Sequence, residues 1–365
     1  MTTNRYLISL IFSLFIYGNK LCSQSLQPGF NKSELLEAMY VSVRTGSDSS
    51  FYTGTLETPE PRSKRVYQSP ETGLKNLWEL WVSENQTAII STRGTVDSDT
   101  SWLANNFMAM LPAHSYLVLA VGDTFRYQLA ENPKAAVHAG WLFSTAFLVR
   151  DMLPKIDSCY RSGIKNYIIT GHSQGGAISY LVSAYFLDLQ KKGLLPSDIC
   201  FKTYCTAAPK PGNLFFAYDL EYAARGGWLF NVVNPNDWVP EVPFSLQALN
   251  DFNSLNIFSY IRDETSSTFR RMFVNHYLET RFNTASKPQK EYIREFGAKK
   301  EKELKKLYPG FMCPEFYPTA NYVRTGITIV LKPNHEYLKK YDTPDAGAFL
   351  HHMHHLYIDL IRELE

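Results

Sequence analysis

The stretch Tyr167-Ile168-Ile169-Thr170-Gly171-His172-Ser173-Gln174-Gly175-Gly176 decides the fold. A short strand-favouring run enters a Gly-x-Ser-x-Gly turn, and residues from Gly176 to Lys191 then read at helical period. Strand, sharp turn and helix in that order hold the middle serine at the end of a sheet, exposed and in a strained backbone conformation. Gly171 and Gly175 flank it because side chains there would collide with the neighbouring strand and helix. The helix N-terminus presents backbone N–H groups to a developing negative charge. Ser173 is therefore the candidate nucleophile. A bare Gly-x-Ser-x-Gly is weak evidence, and its strand and helix neighbours are what make it specific.

Working outward, the same alternation continues. Leu77 to Ser83, Thr87 to Thr92 and Tyr116 to Val121 read as strands, and Gly140 to Arg161 as a helix. Cys200 to Ala207 and Trp228 to Val233 complete the strands. Strands alternating with helices predict βαβ units and a mostly parallel central sheet flanked by helices. Asn31 to Val43 is a first amphipathic helix. Beyond Pro243 the pattern loosens, with a Lys/Glu-rich helix around Tyr292 to Leu307 that suits a solvated face. Residues 244–341 are expected to be an insertion before a closing helix, about Gly347 to Leu364.

A serine hydroxyl needs a basic histidine, itself oriented by a carboxylate. Asp237 follows the strand Trp228 to Val233 on the loop Asn234 to Pro240, where catalytic groups gather in open α/β sheets. Asp219, Asp251 and Asp263 follow no strand so directly. The alternative role for Asp237 is turn formation. Downstream histidines are His276, His335, His351, His352, His354 and His355. Spacing alone does not choose among the last four. His351 and His355 stand at i, i+4, which could pair metal ligands on a helix, but no metal or organic cofactor is expected.

The chain of 365 residues is 45% hydrophobic and 14% aromatic, enough for one large core or two modest ones. A formal charge of +2 makes no electrostatic case for a nucleic-acid partner. Arg5 precedes the apolar run Tyr6 to Tyr17, too short to span a bilayer but suited to a signal peptide. Residues 1–23 are expected to be that signal and 24–365 one domain, exported or periplasmic. A membrane anchor, a buried helix, or lipidation at Cys22 are the alternatives. Cys159, Cys200, Cys205 and Cys313 would remain, able to form two disulfides or to stay as buried thiols.

Several blocks, in order, resemble the class 3 lipases, fungal-type α/β-hydrolases. Ile89 to Thr95 resembles the family's strand ending in Arg-Gly-Thr, and Val137-His138-Ala139-Gly140-Trp141 its Val-His-x-Gly-aromatic block. Gly171 to Gly176 resembles its Gly-His-Ser-Leu-Gly-Gly turn. Ala208 to Asn213 and Val232 to Pro243 are similar to its Pro-x-x-Gly-Asn and Asn-x-x-Asp-x-Val-Pro blocks. The resemblance covers about Thr87 to Pro243, and the ends match loosely. Thr92 stands where Phe is usual, and Gln174 where Leu is usual.

The resemblance implies an α/β-hydrolase fold and a lipase cleaving acylglycerols. Phospholipase or feruloyl-ester activity, or an inactive secreted binding protein, are the alternatives. It implies Ser173 as nucleophile, Asp237 as acid, and an oxyanion hole from Thr95 (backbone N–H, with its hydroxyl as a further candidate) and the N–H of Gln174. The change to Gln would act on the acyl pocket. His138 would be structural. The family's base opens a C-terminal helix as His-x-x-x-x-Tyr, which selects His352 with Tyr357, and His351 as runner-up. Family members also carry a lid after the Arg-Gly-Thr strand. Here that place holds Ser101 to Leu111, whose Trp102, Phe107, Met108, Met110 and Leu111 would meet a lipid interface or simply fill the core. The oligomeric state is not implied.

Overall fold

Adjacent isoleucines report how the sheet is covered. Ile89 and Ile168 belong to one core, and their chain neighbours Ile90 and Ile169 to the other. Successive strand residues face opposite sides, so both faces of these strands are buried. All residues of Thr87–Thr92 and of Asn166–His172 are buried. The computed structural model describes residues 26–46, 59–257, 268–281, 284–341 and 347–364. The expected signal, Cys22 and Asp263 lie outside them.

The central sheet has seven strands, in the order Lys64–Gln68, Trp78–Val82, Thr87–Thr92, Asn166–His172, Cys200–Thr206, Leu229–Val233 and Ile327–Val330. The first two pairings are antiparallel, and the remaining four are parallel. Helices Ala139–Arg161 and Gln174–Lys191 pack into the core on one face. Helices Lys32–Arg44 and His354–Arg362 pack into the core on the other. This is a parallel-rich α/β sheet, wound on both faces.

Three expectations need adjustment. The predicted strand Tyr116 to Val121 exists as His114–Ala120, but it pairs with Asp123–Gln128 in a two-stranded hairpin outside the central sheet, with a single bridge from Val118 to Met312. Its burial alternates with exposure, as suits a ribbon with one wet face. Residues 244–341 are not wholly an insertion, since Ile327–Val330 forms the sheet's last strand beside Leu229–Val233. The charged helix is divided: a π-helical turn at Arg294–Ala298 separates Ser286–Ile293 from Lys299–Leu307. Its Leu304 is fully buried, so one side of that helix packs inward.

Two glycines fix close approaches around the site. A Cβ on Gly175 would stand 2.1 Å from the Thr92 carbonyl oxygen, and one on Gly140 would stand 2.0 Å from that of Ala104. The first contact seats the helix after Ser173 against the strand ending at Thr92. The second seats helix Asp99–Asn106 against the long helix that starts at Ala139.

Candidate active site

Ser173 sits between strand Asn166–His172 and helix Gln174–Lys191 with φ 59° and ψ −130°. That backbone conformation is costly for a non-glycine residue and persists only where its surroundings enforce it. The N–H of Ser173 donates to the Thr206 carbonyl at 3.0 Å, tying the turn to the next strand.

Asp237 lies four residues past the end of strand Leu229–Val233, its side chain fully buried. Its Oδ2 is 2.8 Å from His352 Nδ1 and accepts from Tyr357 Oη at 2.7 Å. Its Oδ1 accepts from the Val239 N–H at 3.0 Å. Burial pushes the carboxyl up, but the hydrogen bonds and charge of His352, with those of Val239 and Tyr357, outweigh it and hold it below the ordinary carboxylate range. An ionised Asp237 can only accept, so His352 carries its proton on Nδ1, and the Nε2 lone pair is available.

The four clustered histidines separate by environment. His352 ends a 3₁₀ turn, Leu350–His352, just before the helix His354–Arg362, and lines the cleft with Ser173. His351 turns to Tyr337, whose Oη lies 2.9 Å from its Nδ1. His354 is buried beneath His172, with stacked rings 4.0 Å apart. His355 is half-buried beside Tyr341. Elsewhere, Asp219 accepts from the Glu131 and Asn132 N–H groups, and Asp251 caps a turn near Thr319. His276 and His335 are exposed.

His172 has a role that the sequence did not disclose. Its Nε2 lies 2.7 Å from the His352 carbonyl oxygen and its Nδ1 3.0 Å from Thr206 Oγ1. A carbonyl only accepts, so Nε2 bears the proton and the threonine hydroxyl donates to Nδ1. Burial, reinforced by the nearby His352, lowers the basicity of His172 to about 3. His138 is likewise buried, stacked on Trp141 at 3.6 Å, with Nε2 3.2 Å from the Asn105 carbonyl. Burial lowers it to about 3 as well.

Ser173 and His352 open on a cleft of about 200 Å³. Thr95, Gln174, Trp238, Val242, Phe244 and Phe349 line it. Trp102 and Met108 also reach it. The rest of the apolar cluster does not: Phe107, Met110 and Leu111 are fully buried, and Met110–Pro112 pairs as a strand with Ala136–His138. Cys159, Cys200, Cys205 and Cys313 are free thiols, so of the two possibilities left open by the sequence the disulfides are not formed, and Cys205 is the buried one of the four.

With this geometry, residues 89–247 match the family model described as lipase (class 3). A secreted mono- and diacylglycerol lipase of Malassezia restricta is 36% identical over 78 residues, which is 21% of this chain and 24% of that protein. The chain thus spans about a quarter of the length of the curated relatives it matches. Among solved structures, the lipase of Rhizopus microsporus var. chinensis is 24% identical, covering 58% of this chain and 69% of that one, with a TM-score of 0.42. Lipase II of Rhizopus niveus is 23% identical, covering 58% and 74%, with a TM-score of 0.41. The segment that matches the family model holds Ser173, Asp237, Thr95 and Gln174. His352 and Tyr357 lie beyond it, so the site is assembled from the segment and the chain's far end.

Proposed function

We propose that this protein is a serine carboxylic-ester hydrolase, a lipase acting on acylglycerols outside the cell. The observation that carries the reading is the buried His352–Asp237 pair, 2.8 Å apart, at the cleft that Ser173 lines. Ser173 Oγ attacks the ester carbonyl carbon while its proton passes to His352 Nε2. Asp237, already bonded to Nδ1–H, stabilises the imidazolium. The N–H groups of Thr95 and Gln174 hold the oxyanion. Collapse of the tetrahedral intermediate expels the alcohol, which takes the proton from His352. Water then attacks the acyl-enzyme by the same route and releases the carboxylic acid.

The cleft supports an apolar acyl substrate. At about 200 Å³ it is smaller than the roughly 300–1,000 Å³ of pockets that enclose a whole drug-sized ligand. The ester and part of one chain enter, and the remainder stays outside. Trp238 and Phe244 are 40% and 71% exposed and, with Trp102 and Met108, form the lipid-contacting edge. A mobile lid is confined to the part of 101–111 before Met110, because moving the rest would break its pairing with Ala136–His138. The secreted mono- and diacylglycerol lipase that is 36% identical to this chain over 78 residues supports acylglycerols and an exported location. An N-terminal signal over residues 1–23 accords with that.

The test is hydrolysis of p-nitrophenyl esters of graded chain length by wild type and Ser173→Ala. Chain-length-dependent turnover that disappears in the variant is expected, and full activity in Ser173→Ala would falsify the assignment. A long-chain acylglycerol emulsion should be cleaved faster than the same substrate below its solubility limit. Equal rates would remove the interfacial part of the reading.

A further inference from the structure

Gln174 occupies a position where the family pattern has Leu, a side chain that can only fill space. Gln174 is 2% exposed, and both ends of its carboxamide are engaged. Its Nε2 donates to Asn76 Oδ1 at 3.1 Å, and its Oε1 accepts from Thr95 Oγ1 at 3.2 Å. Asn76 is 1% exposed, and its backbone is fixed by reciprocal bonds with Thr72, both 2.8 Å. Its amide nitrogen has no hydrogen-bond partner among the described residues. A buried Asn carries a desolvation cost, and the bond that its Oδ1 accepts from Gln174 offsets the part due to that oxygen, while Nδ2 stays unpartnered among the described residues. On the other side, Asn105 Nδ2 donates to Thr95 Oγ1 at 2.9 Å, and Asn105 Oδ1 accepts from Trp141 Nε1 at 3.1 Å. Thr95 Oγ1 is thus held between a donor and an acceptor, each anchored on a different element.

We propose that Gln174 is a positioning residue: its carboxamide, anchored on Asn76, fixes the Thr95 hydroxyl as a third oxyanion donor beside the N–H groups of Thr95 and Gln174. This rests on the esterase reading above. The hydroxyl has one proton. In the resting enzyme that proton goes to Gln174 Oε1, since Asn105 already donates to the oxygen. When the substrate carbonyl oxygen becomes anionic it is the stronger acceptor. The proton then turns to it by rotation about the Cβ–Oγ bond, with no heavy atom displaced. Such preorganisation is what makes an oxyanion donor effective.

The experiment is a double-mutant cycle on p-nitrophenyl butyrate hydrolysis, using Thr95→Val, Gln174→Leu and the double variant, with kcat and KM measured separately. Thr95→Val removes the hydroxyl and keeps the backbone N–H. It should lower kcat by about 10²-fold. Gln174→Leu should lower kcat by about tenfold with KM near the wild-type value, and should have no further effect in the Thr95→Val background. Gln174→Met, of equal length and without an amide, replaces the Leu variant if the latter does not fold. An unchanged kcat in the Gln174 variant, or the same loss in both backgrounds, overturns the proposal while leaving Ser173-dependent hydrolysis intact. Absence of any Ser173-dependent hydrolysis in wild type removes the esterase reading, and the proposal with it.

Discussion

His172 donates from Nε2 to the backbone carbonyl of His352 across 2.7 Å, so the residue just before Ser173 holds the segment that carries His352. The two residues are 180 positions apart. Because the bond is to backbone, it sets where the His352 ring begins without touching its proton. Replacing His172 by Phe keeps a ring to stack on His354 and removes the donor. A kcat lowered about tenfold, with KM little changed, is the expected result. His172→Gln, which retains an N–H of similar reach, should recover part of the loss. Steady-state kinetics of the two variants decide it, and equal kcat in both would mean the hydrogen bond is not what matters.

The adjacent histidines 351 and 352 make opposite predictions. His352→Ala should lower kcat on the order of 10³-fold or more, because both the base and its Asp237 partner contact are lost. His351→Ala removes a contact with Tyr337 outside the cleft and should leave most of kcat in place. Its cost should fall on stability, about 1 kcal/mol for one lost hydrogen bond, read as a shift in urea midpoint. The reverse pattern of activities would reassign the base by one residue.

Acid should destabilise the fold well above the pH at which ordinary carboxylates titrate. His138 and His172 are both lowered to about 3 by burial, against 6.5 for a free imidazole. Between those values the unfolded chain binds protons that the native protein refuses. Stability is therefore full above pH 6.5 and falls as pH drops toward 3, by up to about 1.4 kcal/mol per pH unit for each group. Asp237, held below its ordinary range, adds a loss of the same sign at lower pH. Urea midpoints at pH 7, 6 and 5 measure this directly. A flat profile across that range would contradict buried neutral imidazoles.

How much of the site could be read in advance depended on how local each feature is. Ser173 was legible because strand, turn and helix are contiguous and Gly171 and Gly175 meet backbone that only glycine can approach. Asp237 was legible because it follows a strand of five buried residues. His352 was not legible from the residues alone. Four histidines within five positions differ only in where a 3₁₀ turn and the following helix aim each ring, and only the His-x-x-x-x-Tyr resemblance favoured the one that meets Asp237. That tyrosine, Tyr357, turns out to donate to Asp237 itself. The last sheet strand, Ile327–Val330, escaped because its four residues are exposed or half-buried at an edge and show no core-facing period. The hairpin strand was recognised as a strand, but nothing in its own residues names its partner.

The sequence by itself determined the strained turn at Ser173, the buried strands on either side of it and the loop that carries Asp237. Each of these follows from neighbouring residues, through backbone preference and the period of burial. The tertiary structure alone decided which imidazole meets Asp237, what holds that imidazole in place, and that Gln174 reaches Thr95 and Asn76 instead of only filling the acyl pocket. Those contacts join residues from 79 to 180 positions apart. They form only when the helices and the sheet have packed, because a side chain's partner is set by the surface brought against it.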